Sequence, residues 1–174
     1  MLPNLDLIPA GEDQRAVLAN MLELYTYEFS ELLPLELGDD GRFGYKKLDL
    51  YWTDARRQAF LVRCENKLAG LVLIKRGSEI AANQAGNEEV WDMTEFFILR
   101  RYRRRGIGAE VAAKVWRWCP GLWEVRVRVA NTAAVQFWNS AVARFTGEQA
   151  RSVRLEIGGQ AWHVLSFESK PLRS

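Results

Sequence analysis

The 174-residue sequence contains one histidine, His163, and two cysteines, Cys64 and Cys119. One histidine cannot build a multi-histidine metal site, and any Ser/His/Asp or Cys/His mechanism would have to use this residue. We expect no metal, and we interpret His163 as structural because it lies in a strand-like run without a catalytic motif. The two cysteines match no metal or redox spacing. They predict two buried, reduced thiols and a cytoplasmic protein.

Long apolar runs are also missing. A stretch such as residues 71–74 is far shorter than the roughly 20 residues that cross a bilayer. Residues 1–8 contain neither a basic region nor an apolar segment of signal-peptide length. We therefore expect no membrane partner. The length, with 48% hydrophobic and 26% charged residues, predicts one globular domain over residues 1–174.

An excess of positive charge is confined to one short segment. The formal net charge is +2, but five of the 24 basic residues lie within six positions. These five are Arg100, Arg101, Arg103, Arg104 and Arg105. The remainder of the chain is mildly acidic and lacks the broadly basic face of a duplex-binding domain. A nucleic-acid partner is therefore the weakest interpretation of the arginines.

The periodicity of apolar residues predicts a mixed α/β order of helix, hairpin, strand, helix, strand, helix and hairpin. The predicted helices and strands cover residues 12–32, 59–64, 68–75, 90–99, 107–118, 123–129, 135–145, 153–157 and 161–167. Leu32 closes the apolar stripe of the first helix, and Trp118 closes that of the second. Residues 77–87 are predicted as a loop, and Gly158 and Gly159 as a hairpin turn.

The segment from Glu95 to Ala109 runs from a buried strand through the arginines into a helix that begins with glycines. A helix N-terminus offers unpaired N–H groups and about half a positive charge. Gly106 and Gly108 allow phosphates to approach the backbone, so this turn is typical of a pyrophosphate site. The segment lacks the Lys-Ser/Thr of a P-loop and the three glycines of a dinucleotide fold. If the glycines only packed a helix against a strand, the arginines would have no explanation.

Two motifs resemble the GCN5-related N-acetyltransferase (GNAT) family. Arg103-Arg-Arg-Gly106-Ile-Gly108 is similar to the family signature Arg/Gln-x-x-Gly-x-Gly/Ala, and Ile98 and Tyr102 match its lead-in. Asn131-Thr-Ala-Ala134-Val-Gln-Phe137-Trp138 is similar to a second segment, Asn-x-x-Ala-x-x-Phe-Tyr. The order of the motifs also agrees, and Glu95-Phe-Phe most resembles the diamine acetyltransferase branch.

The resemblance spans nearly the whole chain and implies a fold. It implies a mixed α/β class, with a central, mostly antiparallel sheet that contains a splayed parallel strand pair and is flanked by helices. It also implies that residues 1–174 form a single acyl-CoA N-acyltransferase domain.

The resemblance further implies acetyl-CoA as acyl donor, with its pyrophosphate on the N–H groups of residues 104–109. The pantetheine arm would pair with the strand at 90–99 and with Asn131, and the N–H of Ile98 or Leu99 could polarise the thioester oxygen. The implied cofactor-binding residues are Phe96, Phe97, Ile98, Arg103, Arg104, Arg105, Gly106, Ile107, Gly108, Ala109 and Asn131.

Acetyl transfer to an amine also needs a base, because a protonated amine has no lone pair. Glu95 is the first candidate and Asp92 the second, although both could be ordinary exposed strand residues. Regular alternation would point Glu95 away from the face of Ile98, unless a bulge intervenes.

Trp138 stands where family members often have a tyrosine that is thought to protonate the departing thiolate. An indole cannot act as that acid. Ser140, a water molecule or the solvent would have to serve instead.

Residues 25–52 correspond to the acceptor-binding region of the family and are rich in acidic and aromatic side chains. Together these suit a cationic amine, through charge pairing and cation–π contacts. The alternative is that the acids form a solvated face and the aromatics belong to the core.

Three functions remain open at this stage. The first is an N-acetyltransferase that acts by direct transfer on a primary amine of a small molecule or peptide. The second is a catalytically weak acyl-CoA-binding module, and the third is an arginine-rich nucleic-acid binder. The sequence permits a homodimer without requiring one.

Overall fold

The computed structural model describes residues 3–78, 80 and 87–170, and its strands form one seven-stranded sheet. The strands are β1 (Leu5–Pro9), β2 (Arg57–Cys64), β3 (Lys67–Arg76), β4 (Trp91–Ile98), β5 (Gly121–Arg128), β6 (Arg151–Ile157) and β7 (Gln160–Ser169). The helices are α1 (Arg15–Phe29), α2 (Leu50–Thr53), α3 (Ile107–Trp118) and α4 (Thr132–Thr146), with single 3-10 turns at Glu12–Gln14, Asn87–Glu89 and Arg100–Tyr102.

The sheet contains one parallel pair among antiparallel neighbours. The strand order is β1-β2-β3-β4-β5-β7-β6, and among the described strands only β4 and β5 run parallel. These two strands pair at Trp91–Trp123 and Asp92–Glu124 and then separate. The expected mixed α/β sheet with a splayed parallel pair is thereby confirmed.

Helices cover both faces of the sheet, because each face carries its own apolar core. On one face α3 and α4 pack over the sheet, with Trp116 and Ile107 fully buried. On the other face α1 packs over β2, β3 and β4 through Leu18 and Leu22. Strand β4 contributes to both cores, with Ile98 on the α3 face and Phe97 on the α1 face. A strand buried on both sides reads as a continuous apolar run, as residues 96–99 do.

A bulge interrupts β4 at Thr94. Leu73 of β3 faces Glu95, whereas the next residue of β3 faces Met93, so Thr94 has no opposite residue. The extra residue shifts the alternation of side chains by one position. Asp92 and Glu95 therefore point to the α1 face together, although they are three positions apart. The bulge precedes Glu95, so Glu95 and Ile98 remain on opposite faces.

Most predicted helices and strands agree with the structure within a few residues, and the exceptions lie at helix ends. Helix α1 ends at Phe29 rather than residue 32, so Leu32 is 41% exposed and its predicted core position is wrong. Trp118 is 54% exposed because the last turn of α3 buries Trp116 instead. Strand β1 and helix α2 were not predicted.

The predicted turn at Gly158–Gly159 is confirmed, since both residues have positive φ, as a type I′ hairpin requires. The loop predicted at 77–87 falls largely on residues 79 and 81–86, which lie outside the described residues. Both cysteines are buried and unpaired, as expected. Among the helices of the described chain, none has the length and apolar character of a membrane span.

Strand β3 approaches β4 closely at Gly70. A Cβ atom there would lie 2.2 Å from the carbonyl oxygen of Phe97. We expect Gly70→Ala to lower the free energy of unfolding by about 1–3 kcal/mol, because backbone cannot move aside as a side chain can. Urea denaturation measures the effect.

The control is Gly11→Ala, whose new methyl group would meet an exposed carboxylate of Asp13 that is free to rotate. Equal stability of the two variants would contradict the steric role of Gly70.

Candidate active site

A cleft of about 1000 Å³ passes through the gap that opens where β4 and β5 separate. Its walls come from α1, β4, β5, the start of α3 and the start of α4. The predicted site residues that line it are Glu95, Phe96, Phe97, Ile98, Arg103, Arg104, Gly106, Gly108, Ala109 and Asn131. The cleft is therefore continuous from the α3 face of the sheet to the α1 face.

Two predicted cofactor-binding residues do not line the cleft. The side chain of Ile107 is fully buried in the core, so only its backbone N–H is placed at the start of α3. Arg105 is exposed on the surface.

The first turn of α3 presents backbone amides without a side-chain cap. Gly106 occupies the N-cap position with φ of 76°, a left-handed conformation that favours glycine. The N–H of Glu110 makes the first helical bond to Gly106, at 3.1 Å. The amides of residues 107–109 precede that bond and are the donors a helix leaves unpaired. This end of the cleft therefore has the donor set and the dipole that bind phosphate.

Gly108 also has a packing role. A Cβ atom at this position would lie 3.2 Å from the ring of Phe137 in α4. The glycine therefore allows α3 and α4 to approach each other, in addition to keeping the backbone open to the cleft.

Two of the five clustered arginines, Arg100 and Arg103, make structural hydrogen bonds. The Nε of Arg103 donates to the Ile98 carbonyl oxygen at 2.6 Å, and its Nη2 donates to Glu28 in α1 at 2.7 Å. Arg100 donates to the same carboxylate at 3.0 Å. Arg103 and Arg104 both line the cleft, and Arg104 makes no ion pair among the described residues. The cluster therefore divides into a link between β4 and α1 and a cationic wall near α3.

Strand β4 turns alternate amides toward the gap. The N–H of Leu99 donates to the Ala69 carbonyl oxygen of β3 at 2.9 Å, so this amide is already engaged. Successive residues of a strand point their N–H groups to opposite edges. The N–H of Ile98 therefore faces the gap, and of the two candidate oxyanion donors the structure leaves Ile98.

Glu95 lies at the middle of the cleft between two tyrosines. Tyr45 donates to its Oε1 at 2.8 Å, and Tyr25 donates to its Oε2 at 2.6 Å. Burial raises the pKa of Glu95 above its ordinary value, and the two tyrosine hydrogen bonds only partly offset this. Burial and the Glu95 charge also raise the pKa of both tyrosines, so each remains a protonated donor.

Asp92, the second candidate base, is engaged elsewhere. It is 1% exposed, accepts from Arg126 at 2.6 Å and lies 3.8 Å from the ammonium group of Lys75. Its carboxylate is thus occupied by structural contacts with two cations. The geometry therefore favours Glu95.

Asn131 and Trp138 complete the α4 side. The side-chain oxygen of Asn131 caps α4 by accepting from the Ala134 N–H at 3.1 Å, which leaves the amide nitrogen for the cleft. Trp138 packs against Phe96 with ring centres 4.9 Å apart. Ser140 is exposed, and among the described residues it does not line the cleft, so it is not placed to protonate a thiolate.

Sequence reasoning missed several lining residues. Lys46, Lys47, Arg57, Arg126 and Trp162 all line the cleft. None lies in a motif, and the topology alone brings them together. Tyr25 and Tyr45 lie in the predicted acceptor region. Spacing does not predict their hydrogen bonds to Glu95, because these join residues 70 and 50 positions apart.

Three of the six acids of residues 25–52 are engaged by other groups, and the other three, Glu31, Glu36 and Asp39, are exposed. Glu28 binds the two arginines, Asp49 pairs with Arg15, and Asp40 accepts from the backbone N–H of Arg42. The structure therefore favours the interpretation of these acids as structural and solvated rather than as a binding surface for a cation.

Comparison with solved structures shows the same fold. An acetyltransferase from Thermus thermophilus aligns with a TM-score of 0.68 and 19% identity, covering 95% of this chain and 97% of its own. A spermidine N-acetyltransferase from Vibrio cholerae in complex with CoA and spermine aligns at 0.61 and 16%, covering 95% of each chain. A dodecameric structure of spermidine N-acetyltransferase from Vibrio cholerae aligns at 0.58 and 13%, covering 95% and 94%.

A search of curated proteins finds no significant match to the sequence. The model of the Acetyltransferase (GNAT) family, however, matches residues 18–141, which include both motifs, Glu95 and the separated strands. Members of this family use acetyl-CoA as acyl donor. The uncapped turn of α3 and the strand gap fit that donor, and the chain belongs to the GNAT acetyltransferase family.

Proposed function

We propose that this acetyltransferase moves the acetyl group of acetyl-CoA to a primary amine of a small molecule or peptide, by direct transfer in a ternary complex. The observation that carries the proposal is Glu95, a buried carboxylate that faces the cleft where donor and acceptor sides meet. Acetyl-CoA supplies the acetyl group as an activated thioester.

Residues on the α3 face would hold the donor. The backbone amides of Ile107, Gly108 and Ala109 would bind the diphosphate, and Arg104 would add positive charge. The free N–H of Ile98 would donate to the extended part of the donor, in the manner of an added strand. The amide nitrogen of Asn131 would donate to the same part.

Glu95 would accept the proton of the attacking amine at one carboxylate oxygen. A carboxylate has about four lone-pair sites, so each oxygen can accept this proton while it keeps its tyrosine hydrogen bond. The raised pKa makes Glu95 a stronger base than an exposed glutamate, as a general base requires. Tyr25 and Tyr45 would fix the orientation of the carboxylate.

Cysteine chemistry offers no competing route among the described residues. Cys64 and Cys119 are both buried, and neither lines the cleft. Burial also raises the pKa of the Cys119 thiol to about 11, so it is a poor nucleophile. With Trp138 in place of a tyrosine, solvent would protonate the departing thiolate, whose pKa lies near the ~8.5 of a free thiol.

Two other functions predict different behaviour. A catalytically weak acyl-CoA-binding module would bind acetyl-CoA without releasing thiol in the presence of any amine. An arginine-rich nucleic-acid binder would bind polynucleotides with a steep salt dependence. Arg100 and Arg103 are engaged by Glu28, which weakens the second alternative.

We also propose that residues 1–174 act as a single domain in the cytoplasm. We further propose that two copies form a homodimer through the free edge of β6. Ile157 and Gln160 flank a two-residue turn, so alternation points the amides of Arg154 and Glu156 to the free edge. Antiparallel pairing about Leu155 would place Arg154 opposite Glu156 of a second copy. Registers centred on Arg154 or Glu156 would oppose like charges.

Acetyl-CoA binding is expected to be micromolar and saturable in calorimetric titrations at two salt concentrations. Gly108→Trp should abolish it, because the indole would collide with Phe137 and enter the cleft. Gly108→Ala is the milder variant and should retain part of the binding. Wild-type protein that does not bind acetyl-CoA, or that binds polynucleotides more tightly, would overturn the acyl-CoA interpretation.

Glu95→Gln should lower kcat by about 10²- to 10⁴-fold while acetyl-CoA binding is retained, because the amide cannot accept the proton. The matched control is Glu148→Gln, on an exposed glutamate after α4 that does not line the cleft. Steady-state thiol release measures both variants.

The pH profile tests the same assignment. Activity should rise with pH through the raised pKa of Glu95, and this limb should disappear in Glu95→Gln. Because the tyrosine hydrogen bonds lower that pKa, Tyr45→Phe should move the limb to higher pH. A limb that follows only the pKa of the chosen amine would exclude Glu95 as the base.

Glu156→Arg should convert the dimer to a monomer, as measured by sedimentation velocity over a range of concentrations. Glu148→Arg, which makes the same charge change on an exposed residue outside β6, should leave the dimer intact. The double reversal Arg154→Glu with Glu156→Arg should restore pairing. A monomeric wild-type protein would refute the interface.

A further inference from the structure

Cationic side chains line the end of the cleft on the α1 face of the sheet, which we call the acceptor end. It is formed by Tyr25, Phe29, Leu33, Tyr45 and Arg57, and Lys46 and Lys47 extend its rim. Arg57 belongs to this face because Ala59 and Leu61, its alternate neighbours in β2, pack in the α1 core.

Arg57 is largely buried without a carboxylate of its own. Its side chain is 12% exposed, and its Nε makes no hydrogen bond among the described residues. The nearby carboxylate of Asp54 is taken by Arg56, which binds its two oxygens at 3.1 Å each and lowers the pKa of Asp54 to about 2. Arg57 lies 3.5 Å from that carboxylate, beyond good hydrogen-bond geometry. One carboxylate thus serves two guanidinium groups.

The other charged residues at the acceptor end do not offset this excess of positive charge. Lys46 and Lys47 are exposed, and no carboxylate of the described chain lies within ion-pair distance of either. Glu28 is shared by two arginines, and Glu95 is held by two tyrosines. Among the described residues that line this end of the cleft, three cations, Lys46, Lys47 and Arg57, therefore outnumber two carboxylates, Glu28 and Glu95.

We infer that the acceptor carries a carboxylate or similar anionic group in addition to its amine, an inference that rests on the proposed function. The amine would reach Glu95, and the anion would bind Arg57 and the two lysines. A polyamine would place a second cation against Arg57 and be repelled. The acceptor would differ in this respect from the spermine of the complex described above.

Sheet geometry sets the spacing between the two groups. Strands β2 and β4 are separated by β3, which places their backbones roughly 10 Å apart. Arg57 and Glu95 both rise from the α1 face, so several bonds can lie between the carboxylate and the amine. Phe29, Leu33 and Leu35 offer apolar contacts to the chain that joins them.

Three amines of equal length test the inference by thiol release: 6-aminohexanoate, 6-aminohexanamide and 1,6-diaminohexane. We expect kcat/KM to be about 10- to 100-fold higher for the carboxylate than for the amide, as a charge-assisted hydrogen bond gives. The diamine should be the poorest of the three. A diamine that equals or exceeds the carboxylate would overturn the inference.

Arg57→Gln should remove the preference for the carboxylate over the amide. The matched control is Arg63→Gln, on an arginine of the same strand that donates to the Asn66 carbonyl and does not line the cleft. It should keep the preference. Should Arg57→Gln not fold, the surface variant Lys46→Gln with Lys47→Gln should reduce the preference in the same direction. A preference that persists in every folded variant refutes the assignment.

Failure of the proposed function has a separate signature. Protein that binds acetyl-CoA but releases thiol with none of the three amines would not be a transferase for this class. Calorimetry with 6-acetamidohexanoate and 6-acetamidohexanamide on the CoA-bound protein then decides the inference directly. Tighter, Arg57-dependent binding of the carboxylate would support it, and equal binding would overturn it.

Discussion

The early separation of β4 and β5 is the constraint on which the rest of the site depends. After two residue pairs the strands diverge, and backbone groups that would otherwise bond each other face a gap. Unpaired backbone groups are costly unless something else satisfies them. The cleft, the exposed N–H of Ile98 and the path between the two faces of the sheet all follow from this divergence.

The bulge at Thr94 places Glu95, the proposed base, on the α1 face beside that gap. Without the extra residue, Asp92 and Glu95 would point to opposite faces. With it, Glu95 points to the α1 face, where Tyr25 and Tyr45 bind it, and Asp92 is held by Arg126 and Lys75. One inserted residue thus brings both carboxylates to the α1 face, where their partners distinguish them: cations hold Asp92, and tyrosines bind Glu95.

Local patterns predicted the site residues that lie in one segment, and long-range contacts supplied those they missed. The arginine and glycine turn and the strand before it are contiguous, so their periodicity and motifs were sufficient. The partners of Glu95 are Tyr25 and Tyr45, and no spacing rule connects them to a strand residue 70 and 50 positions away. Arg57 likewise has no local signal, because its proximity depends on the order of β2, β3 and β4. The sequence left the bulge open as an alternative, because no glycine or proline near Thr94 marks it. The predicted burial of Leu32 and Trp118 was wrong because both lie at helix ends, where one turn more or less changes which side chains are buried.

The edges of β4 and β5 that face the gap also affect self-association. An open edge is usually an aggregation hazard because another chain can pair with it. Here both open edges of the gap lie inside the protein, with helices over the two faces of the sheet, so a second β-sheet has no room to approach them. Only a slender, extended molecule can enter. The geometry that we propose for ligand binding therefore also prevents two chains from pairing along the inner edges of β4 and β5.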